Sequence, residues 1–76
     1  MRRIKTRVRE ARFFEKETQL DLSLKTGIDH ATISRIERGY QIPSETQKRK
    51  LANALNRDID WLFPKKRLDS KNFSSK

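Results

Sequence analysis

The stretch TQLDLSLKTGIDHATISRIERG, residues 18–39, decides the fold of this 76-residue chain. Its first half has the spacing of a short helix, with Leu22 as the chief inward-facing residue. The Thr18 hydroxyl is placed to cap this helix, and Asp21, three positions later, completes a capping-box pattern. Gly27 then ends the helix, because glycine adopts positive φ without a Cβ penalty.

The second half of the stretch predicts another short helix, over residues 30–38. Asp29 is placed to cap its start and Gly39 to close it. Ile33 and Ile36 fall on one face of this helix, whereas its polar side chains point elsewhere. Two short helices joined by a tight glycine turn, the second with a polar outer face, suit a groove about 12 Å wide. The stretch therefore predicts a helix-turn-helix.

Upstream of this stretch, the sequence predicts an amphipathic first helix over residues 3–14. Ile4, Val8 and Ala11 recur at i, i+4 and i+7, with arginine and lysine between them. We expect these three residues to form one buried stripe of that helix.

Downstream, Pro43 and Ser44 mark a break followed by the cap of a fourth helix, and Asn56 suits the left-handed end of that helix. Its apolar stripe consists of Leu51, Ala52 and Leu55. A fifth short helix is predicted over residues 59–63, and Pro64 stops it. The expected fold is all-α: a compact five-helix domain over residues 1–64, followed by a basic, disordered tail over residues 65–76.

Composition limits the functions open to this chain. Nineteen Lys and Arg residues against ten Asp and Glu give a net charge of +9, which indicates a polyanionic partner: nucleic acid, an anionic membrane surface or an acidic protein. With no cysteine, one histidine and two glycines, we expect no metal site, no cofactor and no enzymatic activity. The absence of a long apolar run and of a signal sequence predicts no membrane association and a cytoplasmic protein.

Several short motifs resemble the Cro and cI type of lambda repressor-like helix-turn-helix domains, the XRE family. They are Thr18-Gln19, Leu22-Ser23, Thr26-Gly27-Ile28, the run from Thr32 to Gly39, and Pro43-Ser44. The resemblance extends over residues 4–63 and implies sequence-specific binding of double-stranded DNA. Five positions depart from the family pattern. Lys16 stands where the family usually has glycine, and apolar residues are usual at the positions of Glu17, Thr26, Lys48 and Arg57.

The family docking mode implies two groups of DNA contacts. The third helix enters the major groove, where the expected base-reading residues are Asp29, His30, Ala31, Ser34 and Arg35. Arg35 is the leading candidate, since a guanidinium bonds bidentately to guanine O6 and N7. Asp29 is most simply explained as a helix cap, since a carboxylate near phosphate is unfavourable unless it accepts from cytosine N4. The expected phosphate contacts are Thr18, Gln19, Arg38, Tyr40 and Gln41.

Three further side chains have predicted roles outside DNA contact. We expect Glu37 to form an intradomain salt bridge, with Arg12 as a candidate partner. Trp61 falls where the family usually has a polar residue, so it is the candidate dimer contact. Of the adjacent Phe13 and Phe14, one is expected to face outward and to be able to serve the same purpose.

The resemblance indicates a transcriptional regulator that represses by binding a pseudo-palindromic operator as a homodimer, in the cytoplasm and associated with the nucleoid. Two alternatives stay open on the sequence. The first is an antitoxin that represses its own promoter and binds a toxin through the basic tail. The second is a protein-interaction module in which the third helix meets an acidic protein surface.

Overall fold

The computed structural model describes residues 4–64, and the predicted basic tail lies outside the described residues. Over this range the chain is helical, without strands, as predicted. The five helices are α1 (Val8–Phe14), α2 (Gln19–Thr26), α3 (His30–Glu37), α4 (Glu45–Leu55) and α5 (Ile59–Leu62). The prediction of an all-α fold of five helices, with α2 and α3 as the helix-turn-helix, is confirmed for the described residues.

The local signals at the helix-turn-helix act as the sequence predicts. The Thr18 hydroxyl accepts a hydrogen bond from the Asp21 backbone at 3.0 Å, and the Asp21 carboxylate accepts one from the Thr18 backbone at 3.0 Å. Gly27 adopts a left-handed conformation at φ 76° and ends α2, and Asp29 caps α3. Gly39 also has positive φ, at 82°, directly after α3. The backbone thus turns tightly on both sides of α3.

The ends of α4 are fixed in the same way. Ser44 and Gln47 form a second capping box, in which each side chain accepts a hydrogen bond from the other residue's backbone. Asn56 ends the helix in the left-handed conformation, at φ 61°. Because asparagine tolerates this conformation better than most residues, the helix ends without glycine.

The prediction for the first helix is wrong at its start, because α1 begins at Val8 and not near residue 3. The preceding segment makes tertiary hydrogen bonds: the Ile4 N–H donates to the Gly39 carbonyl at 3.0 Å, and the Arg7 N–H donates to the Leu62 carbonyl at 2.8 Å. These amides bond to the turn that follows α3 and to α5, so the segment does not continue the helix. Ile4 is accordingly half-buried and lies outside the stripe of α1.

The core draws residues from every helix. Its fully buried large side chains are Val8, Leu22, Ile33, Ile36, Leu51, Leu55 and Leu62. Helix α2 packs against both α3 and α4, and α1 also packs against α3 and α4. Because α3 is held through its Ile33 and Ile36 face, its opposite face is left to solvent.

Thr26, which departs from the family pattern, is buried with its hydrogen bonds satisfied. Its hydroxyl donates to the Leu22 carbonyl at 2.8 Å and accepts from the Ile28 N–H at 3.1 Å. A larger apolar side chain would stabilise this position by packing. Thr26 instead stabilises the turn between α2 and α3 through these two hydrogen bonds. A buried polar group that is fully bonded costs little.

Phe13 and Phe14 are both exposed, with 59% and 70% of their surfaces accessible, so the expectation of a single outward-facing ring understates the exposure. Cations cover part of each ring. Arg12 lies 5.2 Å from the Phe13 ring centre, and Arg57 lies 5.6 Å from that of Phe14. Arg57 also lies 5.6 Å from the Trp61 ring, which explains this departure from an aliphatic residue: it acts as a cation between two aromatic rings.

Lys16 gives a first testable prediction, because it has positive φ, 56°, at the family's usual glycine position. An L-residue in this conformation is strained by about 1 kcal/mol or more, and glycine recovers most of this despite its larger entropy loss. We expect Lys16→Gly to raise the free energy of unfolding by about 0.5 to 1 kcal/mol in urea denaturation followed by circular dichroism. The control is Lys5→Gly, at an exposed position without positive φ. A Lys16→Gly variant less stable than wild type would contradict the strain.

Candidate nucleic-acid interface

The outer face of α3 presents a short row of accessible residues. At 100° per residue, Ala31, Arg35 and Arg38 lie opposite the buried Ile33 and Ile36, and all three are exposed. Ser34 lies at the side of this row and is half-buried. The structure thus brings the predicted reader Arg35 and the predicted phosphate contact Arg38 onto one face.

The first turn of α3 carries two of the predicted base-reading residues and the cap. The Asp29 carboxylate accepts a hydrogen bond from the Ala31 N–H at 3.0 Å, which is the capping role open to it on the sequence. His30 is exposed and makes no side-chain hydrogen bond within residues 4–64. Its imidazole is therefore available to an external partner.

Arg35 is held by two neighbours on one edge of its guanidinium. The Arg35 Nε–H donates to the Gln41 Oε1 at 2.8 Å, and Nη2 donates to the Thr32 hydroxyl at 3.4 Å. A guanidinium has five N–H donors, so the end that carries Nη1 and the second Nη2 proton remains available. Gln41, a predicted phosphate contact, thus also bonds Arg35, which its sequence position does not reveal.

Arg38 and Ser34 form a second pair on the same face. Arg38 Nη2 donates to the Ser34 hydroxyl at 3.1 Å, one helical turn apart. The Tyr40 backbone N–H donates to the Arg35 carbonyl at 2.9 Å, so the chain stays close to α3 as it leaves the helix. The i, i+4 spacing of Ser34 and Arg38 is a sequence signal for this contact, which was not among the predictions.

The N-terminus of α2 is the second candidate contact surface. The capping box occupies the backbone N–H groups of Thr18 and Asp21, whereas those of Gln19 and Leu20 make no hydrogen bond within the described residues. The Thr18 backbone N–H, followed by its hydroxyl, lowers the pKa of Asp21, so this carboxylate stays charged and the cap stays formed until strongly acidic pH. Free N–H groups at a helix N-terminus suit a bound anion.

Gln19 is connected to a buried ion pair. Its Nε2 donates to the Glu37 Oε1 at 3.0 Å, and Arg12 bonds the same carboxylate through Nε at 2.7 Å and Nη2 at 3.2 Å. The two charged side chains expose only 10% and 3% of their surfaces. The predicted Glu37 salt bridge with Arg12 is confirmed. The link to Gln19 was not predicted.

Trp61, the candidate dimer contact, is half-buried and packs against the core. Arg7 lies over its ring at 5.0 Å and Arg57 at 5.6 Å. Among residues 4–64, the most exposed apolar side chains are instead Leu24, Ile42 and Phe14. Part of the indole is thus engaged within the domain.

No helix among the described residues is long and apolar enough to cross a membrane. Within the same part of the chain, no group of three His, Cys, Asp or Glu side chains is arranged to hold a metal ion.

Comparison with protein families identifies the helix-turn-helix stretch. A family model described as helix-turn-helix matches residues 18–62, which is more than half of the chain. The matched stretch begins at the cap of α2 and ends with the last residue of α5, so it contains the helix-turn-helix and both following helices. A search of curated proteins finds no match.

Proposed function

Because this chain belongs to the helix-turn-helix family of the Cro/cI type, whose members are DNA-binding regulators, we propose that it is a transcriptional repressor with a pseudo-palindromic operator. The observation that carries the proposal is the outer face of α3, where Arg35 presents an unoccupied guanidinium end to solvent. In this role the protein works in the cytoplasm, at the nucleoid.

In the proposed complex α3 lies in the major groove. Arg35 bonds bidentately to a guanine, His30 donates to a second base, and the Ala31 methyl group packs against a thymine methyl group. Ser34 contributes a hydroxyl beside Arg35, and Asp29 accepts from a cytosine amino group with Oδ1 while Oδ2 caps the helix. The exposure of His30, Ala31 and Arg35 supports this assignment.

Phosphates on either side of the groove are bound by two clamps. At the first, the Gln19 backbone N–H and the Thr18 side chain meet a phosphate at the positive end of α2. At the second, Arg38, Tyr40 and Gln41 meet the backbone beyond α3. Both clamps are held to α3, the first through the Glu37 carboxylate and the second through the turn at Gly39.

The protein binds as a homodimer in this proposal. One recognition helix reads only a few base pairs, and two copies about 34 Å apart read two half-sites on one side of the duplex. Trp61 is the proposed dimer contact, and the exposed ring of Phe14, which Arg57 links to Trp61, extends the apolar surface beside it. The dimer represses by occupying the promoter.

Selection of binding sites from random duplex DNA tests the proposal. The expected result is one enriched motif with two inverted half-sites separated by about one helical turn. Recovery of an unsymmetrical motif would contradict the dimer, and recovery of no motif would contradict sequence-specific binding altogether. The second outcome would favour the alternative in which α3 meets a protein.

Salt dependence gives a quantitative prediction for the same complex. If each dimer neutralises about six phosphates, the logarithm of the affinity falls with the logarithm of the salt concentration with a slope near −5. The measurement is fluorescence anisotropy of the selected operator between 50 and 300 mM KCl, with a poly-anionic peptide as the control for non-specific attraction to the +9 chain. A slope near zero would contradict phosphate-anchored binding.

A further inference from the structure

We infer that Gln41 is a positioning residue for sequence reading: its side-chain oxygen holds the Arg35 guanidinium so that the free end faces a base. This inference rests on the proposed function, because it specifies how one residue of the reading face is oriented. It differs from the role of Gln41 as a phosphate contact alone.

The two contacts of Arg35 use the same edge of its guanidinium. Nε and Nη2 lie on one side of the planar group, and they meet Gln41 and Thr32 respectively. The end of the group, with both protons of Nη1 and one of Nη2, is directed away from these partners. Two parallel N–H donors at that end match guanine O6 and N7. The internal bonds thus leave the base-reading edge free.

The bond from Arg35 also determines the orientation of the Gln41 amide. Because every arginine nitrogen donates and none accepts, the amide oxygen of Gln41 must face Arg35. The amide nitrogen then points the other way, with two donors that have no partner within residues 4–64. A phosphate contact by this nitrogen is compatible with the bond to Arg35. The Gln41 side chain thereby connects a phosphate of the DNA backbone to the base-reading Arg35.

Orientation in the free protein affects affinity for the correct base. Arg35 is exposed and an arginine side chain has many rotamers, so an unsupported Arg35 loses conformational freedom when it binds. Gln41 is half-buried just beyond the turn that follows α3, and it restricts those rotamers before DNA arrives. Gln41 therefore contributes to discrimination at the base pair that Arg35 reads, without touching that base pair.

The test compares Gln41→Ala, Gln41→Glu and Arg35→Ala on the selected operator and on every single-base variant of its half-site, by anisotropy at one salt concentration. Arg35→Ala identifies the base position read by Arg35. At that position we expect Gln41→Ala to reduce discrimination about fivefold, and to have no further effect in the Arg35→Ala background. Gln41→Glu keeps an acceptor for Arg35 but adds a charge near phosphate, so it weakens all sites equally and preserves the base preference.

Asn53→Ala provides a matched control, because Asn53 is an exposed amide residue on α4 with no side-chain hydrogen bond among the described residues. A Gln41→Ala variant that weakens every site equally would overturn the inference and leave Gln41 as a phosphate contact only. In that case Arg35→Ala still loses preference at one position, and the proposed function stands. Absence of any sequence preference in the wild-type protein would overturn both.

A second measurement needs no DNA. In the free protein, the Arg35 Nε–H gives an NMR signal whose exchange with water is slowed by its bond to Gln41. We expect Gln41→Ala to accelerate this exchange at least threefold, and Asn53→Ala to leave it unchanged. Equal exchange in Gln41→Ala and wild type would overturn the inference, whatever the DNA measurements give.

Discussion

Replacing Glu37 with alanine is expected to lower the free energy of unfolding by about 3 to 5 kcal/mol, because the change leaves a buried guanidinium without its counter-charge. Arg12 is 8% exposed and uses two nitrogens to bind the Glu37 carboxylate. In the variant its remaining side-chain hydrogen bond is to the Glu17 carbonyl, at 2.9 Å. The measurement is thermal unfolding by circular dichroism, with a fall in Tm of about 12 °C or more for a domain of this size.

A matched control for this prediction is Glu45→Ala. Glu45 is paired with Lys48 at 3.5 Å, but its side chain is 76% exposed. Because solvent screens such a pair, the loss is expected to stay below about 0.5 kcal/mol. If the two alanine variants lose the same stability, burial of the Arg12 and Glu37 pair has no special effect and the prediction is wrong.

The double variant Arg12→Met, Glu37→Leu distinguishes two contributions to the free energy of unfolding: the net stabilisation by the ion pair and the destabilisation by an unpaired buried charge. Two apolar side chains of similar volume avoid the desolvation of both charges, so we expect the double variant to be more stable than Glu37→Ala. It nevertheless removes the acceptor for Gln19, which anchors the proposed phosphate clamp at α2. Weaker DNA binding at recovered stability would then identify positioning of Gln19 as a function of Glu37.

The sequence predicts the helix-turn-helix well because its signals are local. Thr18, Gly27 and Asp29 each determine the backbone within a few residues, and every one acts as expected in the structure. The buried face of α3 follows from the spacing of Ile33 and Ile36 for the same reason. Caps and periodicity need no knowledge of distant residues.

The start of α1 was mispredicted because its structure depends on distant partners. The spacing of Ile4 and Val8 suits a helix, but the amides of this segment bond to the carbonyls of Gly39 and Leu62. Those carbonyls are far along the chain, and nothing in the local pattern reveals that they lie near the N-terminal segment. Tertiary hydrogen bonding here overrides helical periodicity.

In the candidate site too, features set by local sequence are predictable and contacts between distant segments are not. The exposure of Arg35 and the confirmed pair of Glu37 with Arg12 follow from the helical face and from the need of a buried charge for a partner. The bonds of Gln41 to Arg35 and of Gln19 to Glu37 depend on how turns and helix ends approach each other. Residue identity and spacing carry no direct signal for such contacts.

Replacing Arg35 with alanine is expected to abolish preference at one base position of each half-site while leaving the fold intact. A bidentate contact with guanine supplies about 1 to 3 kcal/mol of discrimination, so the ratio of Kd values between the substituted and the selected operator should fall by about 5- to 150-fold. The side chain is exposed and leaves no buried partner behind, so Tm should change by no more than a few degrees.

The salt slope distinguishes base reading from a phosphate clamp at Arg35. An arginine that binds a phosphate releases counterions, so its removal reduces the magnitude of the slope by about 1 and weakens all DNA sequences alike. An arginine that binds a base edge leaves the slope nearly unchanged and alters one position. Arg49→Ala is the control for loss of one positive charge, because Arg49 is exposed on α4 and forms no ion pair among the described residues. Uniform weakening by Arg35→Ala, with a reduced slope, would reassign Arg35 to the backbone and leave base reading to the other proposed readers: Asp29, His30, Ala31 and Ser34.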